Sequence, residues 1–303
     1  MPQLGLSAME DRRSIDSSFA DNLGEAMHLT RPFFTIKMLG LTSRARLHQI
    51  LEDAAVCRDL VLDVGCGTGE LLFSLLLRGF DVIGLDVDIH QLESLNSALK
   101  QAGQNCQLVA ADVSKLPFRE SSFETSYCAE VIDMLHDDND ALSELARVLQ
   151  RDGICTMSVP NENYPIIYDP LNRLLDRMGM AHLQLGIWSP EVKRLYESSV
   201  LLYRLRCLGL NPFRLNYIGK WLVPLLENYL SLQFYYRVLA PKSRRKAAFK
   251  MYQTGSIMFA GFSKFLELAI RLDMIPNVPG THFVISARKM RISPSHKLTD
   301  RSG

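Results

Sequence analysis

The strongest constraint on the fold is an alternation of short apolar segments and amphipathic segments between residues 61 and 159. Leucines recur at helical spacing in the amphipathic segments, and the apolar segments have the length of strands. Continuously apolar strands separated by helices are typical of a parallel sheet that is covered on both faces. With right-handed crossovers, the pattern predicts a doubly wound α/β fold whose first five strands are DLVLDVG, DVIGLDVD, CQLVAADV, FETSYCAEV and ICTMSVP.

The chain after residue 160 is less regular, but NPFRLNYIG and THFVISARK have strand patterns. We therefore expect a mostly parallel, seven-stranded sheet, and a helix that begins at Ser189 and Pro190. Four parts are expected: a helical N-terminal cap (1–57), a core (58–160), the rest of the core with helical insertions after strands 5 and 6 (161–290, insertions at 161–188 and 218–278) and a disordered tail (291–303).

Composition excludes some classes of protein. The 303 residues carry a net charge of +1, whereas general nucleic-acid binders have strongly basic domains. The first 18 residues contain no apolar segment of the signal-peptide type. The six cysteines form no CxxC pair and have no zinc-ligand spacing, so we expect buried, reduced thiols in a cytoplasmic compartment.

The segment VLDVGCGTGE (61–70) places Gly65, Gly67 and Gly69 directly after the first strand. Ligands of an open parallel sheet bind outside the carboxyl ends of its strands, and glycine lets a ligand reach the main chain. A dinucleotide fingerprint would require glycine at position 70, where Glu70 would repel a pyrophosphate. The loop therefore favours a ligand without a diphosphate, and a tight strand-to-helix turn is the alternative.

Two aspartates follow the next two strands. Asp86 ends the second strand, where a carboxylate can accept hydrogen bonds from both ribose hydroxyls. Asp112 ends the third strand, where it could accept from an adenine amine while Val113 packs on the ring. Each aspartate alone could instead cap a helix, but three such features at successive strand ends favour one binding site.

Together these motifs resemble the class I S-adenosylmethionine-dependent methyltransferases, which have a Rossmann-like fold. The resemblance covers residues 58–160 closely and includes FETSYCAEVIDML, ALSELARVLQRDGICTMSVPN and the later GTHFVISARK. It implies that S-adenosylmethionine is the cofactor and that the core binds it. The implied cofactor-binding residues are Asp63, Gly65, Gly67, Gly69, Asp86, Asp112, Val113, Glu130 and Val131.

A quinone-biosynthesis branch of this family resembles the chain and holds a divalent cation with a glutamate–glutamate–histidine set after the fourth strand. The corresponding positions here are Glu130, Asp133 and Met134, so the histidine is missing and His136 comes two residues late. We therefore predict that the protein binds no metal ion.

In this class the main task of the protein is to align a nucleophile with the methyl group, which is catalysis by positioning. A general base is needed for a phenol or an alcohol and less for an amine or a carbanion. The candidates are His136, His182 and Tyr164, followed by Tyr168. For His136 the alternative is a solvated histidine beside a helix, and for His182 it is an ordinary surface or structural histidine.

The acceptor should be enclosed by the parts outside the resemblance, which are rich in large apolar side chains. We therefore expect a bulky, apolar small molecule, and the methylated atom stays open. Residues 218–278 combine aromatic helical patterns with the basic run PKSRRKAAFK, which is typical of a helical cap or of a peripheral membrane contact. Charged residues interrupt both apolar stretches, so we do not expect a transmembrane helix.

Three rival classes remain. A nicotinamide-dependent oxidoreductase shares the sheet and Asp86, but Glu70 and the glycine spacing oppose it. A protein or RNA methyltransferase is the stronger rival, although CAEVID replaces the proline–aromatic motif of nucleic-acid amino methylases. A noncatalytic member of the fold is the third, and the intact glycines and aspartates oppose it. No nucleic-acid partner is expected, and the sequence does not indicate an oligomeric state.

Overall fold

The computed structural model describes residues 41–54, 60–165, 168, 174–175, 177–181, 191–226, 268, 270–273 and 278–290. The strands are β1 (Val61–Val64), β2 (Val82–Asp86), β3 (Gln107–Ala110), β4 (Phe123–Ala129), β5 (Leu149–Pro160), β6 (Leu210–Ile218) and β7 (His282–Lys289). The α-helices that lie entirely in these ranges are α1 (Leu41–Ala54), α2 (Glu70–Leu76), α3 (Ile89–Gln101), α4 (Asn139–Val148), α5 (Ser198–Cys207) and α6 (Leu222–Leu225). Two short 3₁₀ helices cover Val113–Lys115 and Ile132–Met134.

The seven strands form one sheet in the order β3-β2-β1-β4-β5-β7-β6. All neighbouring pairs from β3 to β5 are parallel, and β7 is antiparallel to both β5 and β6. This confirms the predicted α/β fold with a mostly parallel seven-stranded sheet.

Helices cover the two faces of the sheet. On one face, Val61 packs in a buried cluster with side chains of α1, α2 and α3. On the other face, Leu62 and Val64 pack with side chains of α4 and α5. Successive residues of a strand point to opposite faces, so a nearly continuous apolar strand is what a sheet buried on both sides requires. None of the helices in the described ranges is long and apolar enough to cross a membrane.

The fifth strand begins earlier than the sequence pattern indicates. The sequence pattern places the fifth strand at ICTMSVP (154–160), but α4 ends at Val148 and β5 starts at Leu149 with a register shift against β4. A Cβ at Gly153 would lie 2.8 Å from the main-chain oxygen of Glu124. The main chains of β4 and β5 therefore approach too closely here for a side chain. Gly153 is needed for the pairing of these strands and does not end a helix.

The helix predicted to begin at Ser189 and Pro190 is a second difference. These two residues lie outside the described residues, but α5 begins only at Ser198. Residues 192–195 lie outside any helix, and Tyr196 forms a parallel β-bridge with Asn161. The hydroxyl of Tyr196 donates to the buried carboxylate of Asp138 at 2.6 Å, and this tertiary contact outweighs the local helical pattern.

The reversal of β7 brings its first residue to the functional edge of the sheet. His282 lies opposite Pro160, the last residue of β5, and opposite Ile218, the last residue of β6. It therefore shares the edge at which β1 ends in the glycine loop and β4 ends at Ala129. Of the predicted domains, the N-terminal cap is described only at α1, and most of both insertions lies outside the described residues, as does the tail from residue 291.

Candidate active site

The three loop glycines all have positive φ, but they serve different purposes. A Cβ at Gly65 would lie 2.2 Å from Cγ2 of Val131, and one at Gly69 would lie 2.4 Å from Cδ1 of Leu95. These two glycines therefore allow close internal packing at φ values of 70° and 84°. Gly67, with φ 48°, has no described atom closer than 3.5 Å to a Cβ at its position, so it is the least tightly packed of the three loop glycines.

Asp86 links the glycine loop to the neighbouring strand. Its Oδ2 accepts a hydrogen bond from the main-chain N–H of Gly67 at 2.8 Å, and its Oδ1 accepts from that of Asp88 at 2.9 Å. An ionised carboxylate has about four lone-pair sites, so each oxygen retains capacity toward a ligand. The predicted ribose-binding residue thus lies beside the most open glycine of the loop.

Asp63 lies in β1 directly before the loop and is 3% exposed. Its Oδ2 has no hydrogen-bond partner among the described residues. Burial, followed by the charge of Asp86, raises the pKa of Asp63 to about 7. A buried polar atom without a partner is costly unless a ligand or water satisfies it, so Asp63 fits a site for a polar or cationic group above β1.

Asp112 and Val113 follow β3. The Oδ1 of Asp112 accepts from the main-chain N–H and from the hydroxyl of Ser114, both at 2.8 Å. These bonds cap the short helix at Val113 and lower the pKa of Asp112. One oxygen of this exposed carboxylate therefore caps a helix, which is the alternative role that the sequence allowed. Val113, the next residue, is buried.

Glu130 follows β4 in an unusual conformation. It has φ 56°, which costs a non-glycine residue roughly 1–3 kcal/mol and is typical of functional sites. Its Oε1 accepts from the hydroxyl of Ser158 at 2.9 Å and lies 3.4 Å from Nη1 of Arg46. Its Oε2 lies 3.2 Å from Nε2 of His282. Burial acts to raise the pKa of Glu130, but His282 and Arg46 outweigh it and lower the pKa to about 2.

Asp133 lies behind this cluster and is fully buried. Neither of its carboxyl oxygens has a hydrogen-bond partner in the described parts of the chain. Burial and then the charge of Glu130 raise the pKa of Asp133 to about 7. The pKa of Glu130 is thus lowered while the pKa of the neighbouring Asp133 is raised, and such a pair of unequal carboxyl groups is found in acid–base sites.

Of the candidate bases predicted from the sequence, His136, Tyr164 and Tyr168 lie among the described residues. The side chain of His136 is exposed, and its main-chain carbonyl accepts from Arg194. Tyr164 is buried and packs edge to face on Tyr168, with ring centroids 5.9 Å apart. His182 lies outside the described residues. A catalytic role for these candidates stays a prediction.

Sequence reasoning missed His282, Arg46 and Ser158. The signal that could have found His282 is its position as the first residue of an antiparallel seventh strand, which places it at the carboxyl ends of the parallel strands. Arg46 has no such signal, because its contact depends on how α1 packs. Within the described ranges, no group of three or more histidine, cysteine, aspartate or glutamate side chains is placed to hold a metal ion.

The fold and the loop define a Rossmann-like α/β domain that takes its ligand at the carboxyl edge beside β1. Residues 62–157 match the family described as a methyltransferase domain. The chain therefore carries a class I S-adenosylmethionine-dependent methyltransferase domain, and S-adenosylmethionine is the cofactor of that class.

Individual relatives agree with this assignment. The chain is 27% identical over 234 residues to the biotin biosynthesis bifunctional protein of Cellvibrio japonicus, covering 70% of this chain and 46% of the relative. It is 38% identical over 95 residues to an O-methyltransferase of Pyrenophora dematioidea, covering 30% and 35%. The chain thus spans less than half of the length of these curated relatives.

Solved structures support the fold alone. The [4+2]-cyclase SpnF aligns with a TM-score of 0.53 at 16% identity, covering 88% of this chain and 96% of the cyclase. Because that protein is named for a cyclisation, this architecture can carry more than one chemistry.

Proposed function

We propose that the chain is an S-adenosylmethionine-dependent methyltransferase that acts on a small, bulky and apolar acceptor. The observation that carries the proposal is the glycine loop, whose most open residue, Gly67, is tied to the carboxylate of Asp86 at 2.8 Å inside a domain of this family. The cofactor supplies a methyl group on a positively charged sulfur, which makes that methyl electrophilic.

The residues around the loop fit this cofactor. Asp86 and Asp112 offer acceptors at the ends of adjacent strands, where a nucleoside would need them, and Val113 offers an apolar contact for a ring. The Oδ2 of Asp63, which has no hydrogen-bond partner in the described part of the chain, offers a buried acceptor next to the loop, suited to a cationic group. Glu70 opens α2 with a negative charge, which suits a ligand without a pyrophosphate.

The acceptor is proposed to bind beyond Glu130, on the side of the helical insertions. The apolar side chains of Met134 and Trp221 are 43% and 42% exposed in the described parts of the chain. From the sequence, the apolar stretches of 161–188 and 218–278 are further candidates for binding the acceptor. A peripheral membrane contact through 218–278 and a cytoplasmic location are also proposed. The relatives named biotin biosynthesis protein and O-methyltransferase favour a small-molecule acceptor over a protein or RNA.

Calorimetric titration of the full chain with S-adenosylmethionine, and separately with NAD, tests the cofactor. We expect binding of S-adenosylmethionine alone. Asp86→Ala should weaken it about 10- to 100-fold, because hydrogen bonds to a charged group contribute about 1.5–3 kcal/mol. Asp140→Ala is the matched control, since Asp140 is an exposed aspartate on α4. Binding of NAD without S-adenosylmethionine would contradict the proposal.

A further inference from the structure

The proposed function leaves Gln91 without a role, although its side chain lies beside the glycine loop. Gln91 is an exposed residue in the first turn of α3. A Cβ at Gly67 would lie 3.5 Å from Oε1 of Gln91. The inference drawn from this contact rests on the proposed function, because it concerns how the cofactor is held at the loop.

Oxygen atoms surround the position that a side chain of residue 67 would occupy. Apart from the two neighbours of Gly67 in the chain, the three nearest described atoms are Oε1 of Gln91 at 3.5 Å, the main-chain oxygen of Gly65 at 3.9 Å and Oδ2 of Asp86 at 4.0 Å. All three atoms accept hydrogen bonds. This position therefore suits a ligand group that carries several donors, such as a pair of hydroxyls.

The neighbouring carboxylate fixes the orientation of the Gln91 amide. Nε2 of Gln91 donates to Oδ2 of Asp88 at 3.1 Å. This bond, followed by the one from the main-chain N–H of Gln91, lowers the pKa of Asp88, so the carboxylate is ionised at neutral pH. An ionised carboxylate only accepts hydrogen bonds, so the amide nitrogen must face Asp88. The amide oxygen is thus the atom that Gln91 presents to Gly67.

Asp88 is itself held in place from both sides. Its main-chain N–H donates to Oδ1 of Asp86 at 2.9 Å. Its own Oδ1 accepts from the main-chain N–H groups of His90 and Gln91 at 2.9 Å and 3.2 Å, which caps α3. Asp86, Asp88 and Gln91 therefore form one chain of hydrogen bonds, and the oxygens at its two ends both lie beside Gly67. Acceptors held in this way before a ligand arrives lose little freedom on binding.

A ligand can reach the amide of Gln91. The side chain borders a cavity of about 230 Å³ between the glycine loop and α3, which is lined by Thr68, His90, Gln91, Ser94 and Leu95. Thr68 directly follows Gly67, so this cavity adjoins the part of the loop where the three oxygens meet. No buried side chain of α3 has to move for a ligand to contact Gln91.

We propose that Gln91 is a cofactor-binding residue whose Oε1 accepts a hydrogen bond from one of the two ribose hydroxyls of S-adenosylmethionine, while Asp86 accepts from the other. The ribose is the part of this cofactor that carries two adjacent hydroxyl donors, and Asp86 is the predicted ribose-binding residue. The sequence alone gives no signal for this role, because a glutamine early in a helix is an ordinary solvent-facing residue.

A cycle that removes either the amide or a hydroxyl tests the proposal. Calorimetry of the full chain measures the binding of S-adenosylhomocysteine, which has the same nucleoside, and of its 2′-deoxy and 3′-deoxy analogues. Gln91→Met removes the amide and keeps the length and the helix propensity of the side chain. We expect this variant to bind S-adenosylhomocysteine about 3- to 10-fold more weakly, the effect of one lost hydrogen bond.

The two analogues separate a direct hydrogen bond from a general disturbance of the loop. The analogue without the bound hydroxyl should bind equally well to the wild-type protein and to Gln91→Met. The other analogue should keep the loss of about 3- to 10-fold. Gln101→Met is the matched control, since Gln101 is an exposed glutamine at the last position of the same helix, and it should bind all three ligands as the wild-type protein does.

An equal factor between wild type and Gln91→Met for all three ligands, including no change, would overturn the inference and leave the proposed cofactor intact. A loss of the same size in Gln101→Met would also overturn it. A wild-type protein that binds neither S-adenosylhomocysteine nor S-adenosylmethionine would instead contradict the proposed function.

A second readout does not depend on affinity. Proton–nitrogen NMR detects the side-chain amide of Gln91, and its signals are assigned by their loss in Gln91→Met. Saturation with S-adenosylhomocysteine should shift these signals, and saturation with the analogue that lacks the bound hydroxyl should shift them less. Signals that stay in place when S-adenosylhomocysteine is bound would overturn the inference, because the amide would then not contact the ligand.

Discussion

The main-chain N–H of Gly67 donates to the carboxylate of Asp86 at 2.8 Å, and this bond joins the loop after β1 to the end of β2. The other carboxylate oxygen accepts from the N–H of Asp88, the residue that caps α3. One side chain thus holds the loop, the second strand and the next helix in a fixed relation. A ligand that donates hydrogen bonds to Asp86 therefore binds at a site whose parts are already held in place.

This relation predicts the effect of Asp86→Asn. The amide has one acceptor oxygen in place of two, so one of the two main-chain N–H groups loses its partner. We expect faster hydrogen exchange at the amide of Gly67 or Asp88 and binding of S-adenosylmethionine weakened about 10-fold or more. Amide exchange measured by NMR checks the first effect and calorimetry the second. Unchanged exchange at both amides would contradict the role assigned to Asp86.

The close packing of Gly65 predicts a large loss of stability in Gly65→Ala. The new Cβ would meet Val131 at 2.2 Å and would sit at φ 70°. Overpacking and a left-handed alanine together should lower the free energy of unfolding by about 2–5 kcal/mol. Chemical denaturation measures the change.

Gly103→Ala is the matched control for this substitution. Gly103 has φ 65°, but no atom of the residues that the structure describes lies within 4 Å of a Cβ at its position. Its loss should be limited to the conformational cost of about 1–2 kcal/mol. Equal losses in the two variants would mean that the contact with Val131 does not constrain the loop.

The buried carboxylate of Asp138 predicts a dependence of stability on pH. Burial opposes ionisation, but hydrogen bonds from Arg204 and Tyr196 prevail and lower the pKa of Asp138. A carboxyl group with a lowered folded-state pKa adds stability above its unfolded pKa, and that stability is lost as pH falls through the folded value. We therefore expect the free energy of unfolding to decrease as the pH is lowered below about 4.

Asp138→Asn tests this origin. Arg194 and Arg204 would lose their common partner, so the variant should be destabilised by about 3–5 kcal/mol at pH 7. The unfolding free energy of the variant should also decrease less at acid pH than that of the wild-type protein. An acid decline equal to that of the wild-type protein would assign the effect to other carboxyl groups.

Asp63 predicts a pH dependence of the opposite sign. Its folded-state pKa of about 7, raised by burial, exceeds the ordinary value of 3.8. The folded protein therefore holds a proton that the unfolded chain releases, and this contribution to stability is lost as pH rises from about 4 to about 7. Asp63→Asn should flatten the decline in unfolding free energy between about pH 4 and about pH 7, measured by denaturation without cofactor. A decline as steep as in the wild-type protein would contradict the assignment.

The sheet and the glycine loop at its carboxyl edge were predictable from the sequence because they depend on local signals. Continuous apolar runs require burial on both faces, and Gly65, Gly67 and Gly69 mark a loop that no other residue type would form. The site around Glu130 was not predictable in the same way. Its partners Arg46, Ser158 and His282 come from α1, β5 and β7, and only the packed sheet brings these segments together.

The errors have the same cause. The helix expected from Ser189 begins only at Ser198 because two hydrogen bonds hold the preceding residues outside a helix. The hydroxyl of Tyr196 donates to the carboxylate of Asp138, and the main-chain N–H of Lys193 donates to the carbonyl of Asp133 at 2.8 Å. The strand β5 begins at Leu149 because of its pairing with β4. In both places a contact distant in sequence outweighs the local periodicity.

The central claim is the transfer of a methyl group to a small apolar acceptor, and one measurement tests it directly. The full chain is incubated with S-adenosyl-[methyl-¹⁴C]methionine and a whole-cell extract, and the label is followed into an organic phase, a protein precipitate and an RNA precipitate. We predict label in the organic phase, retained with Asp140→Ala and strongly reduced with Asp86→Ala. Label confined to protein or RNA, or no transfer by a chain that binds the cofactor, would contradict the account.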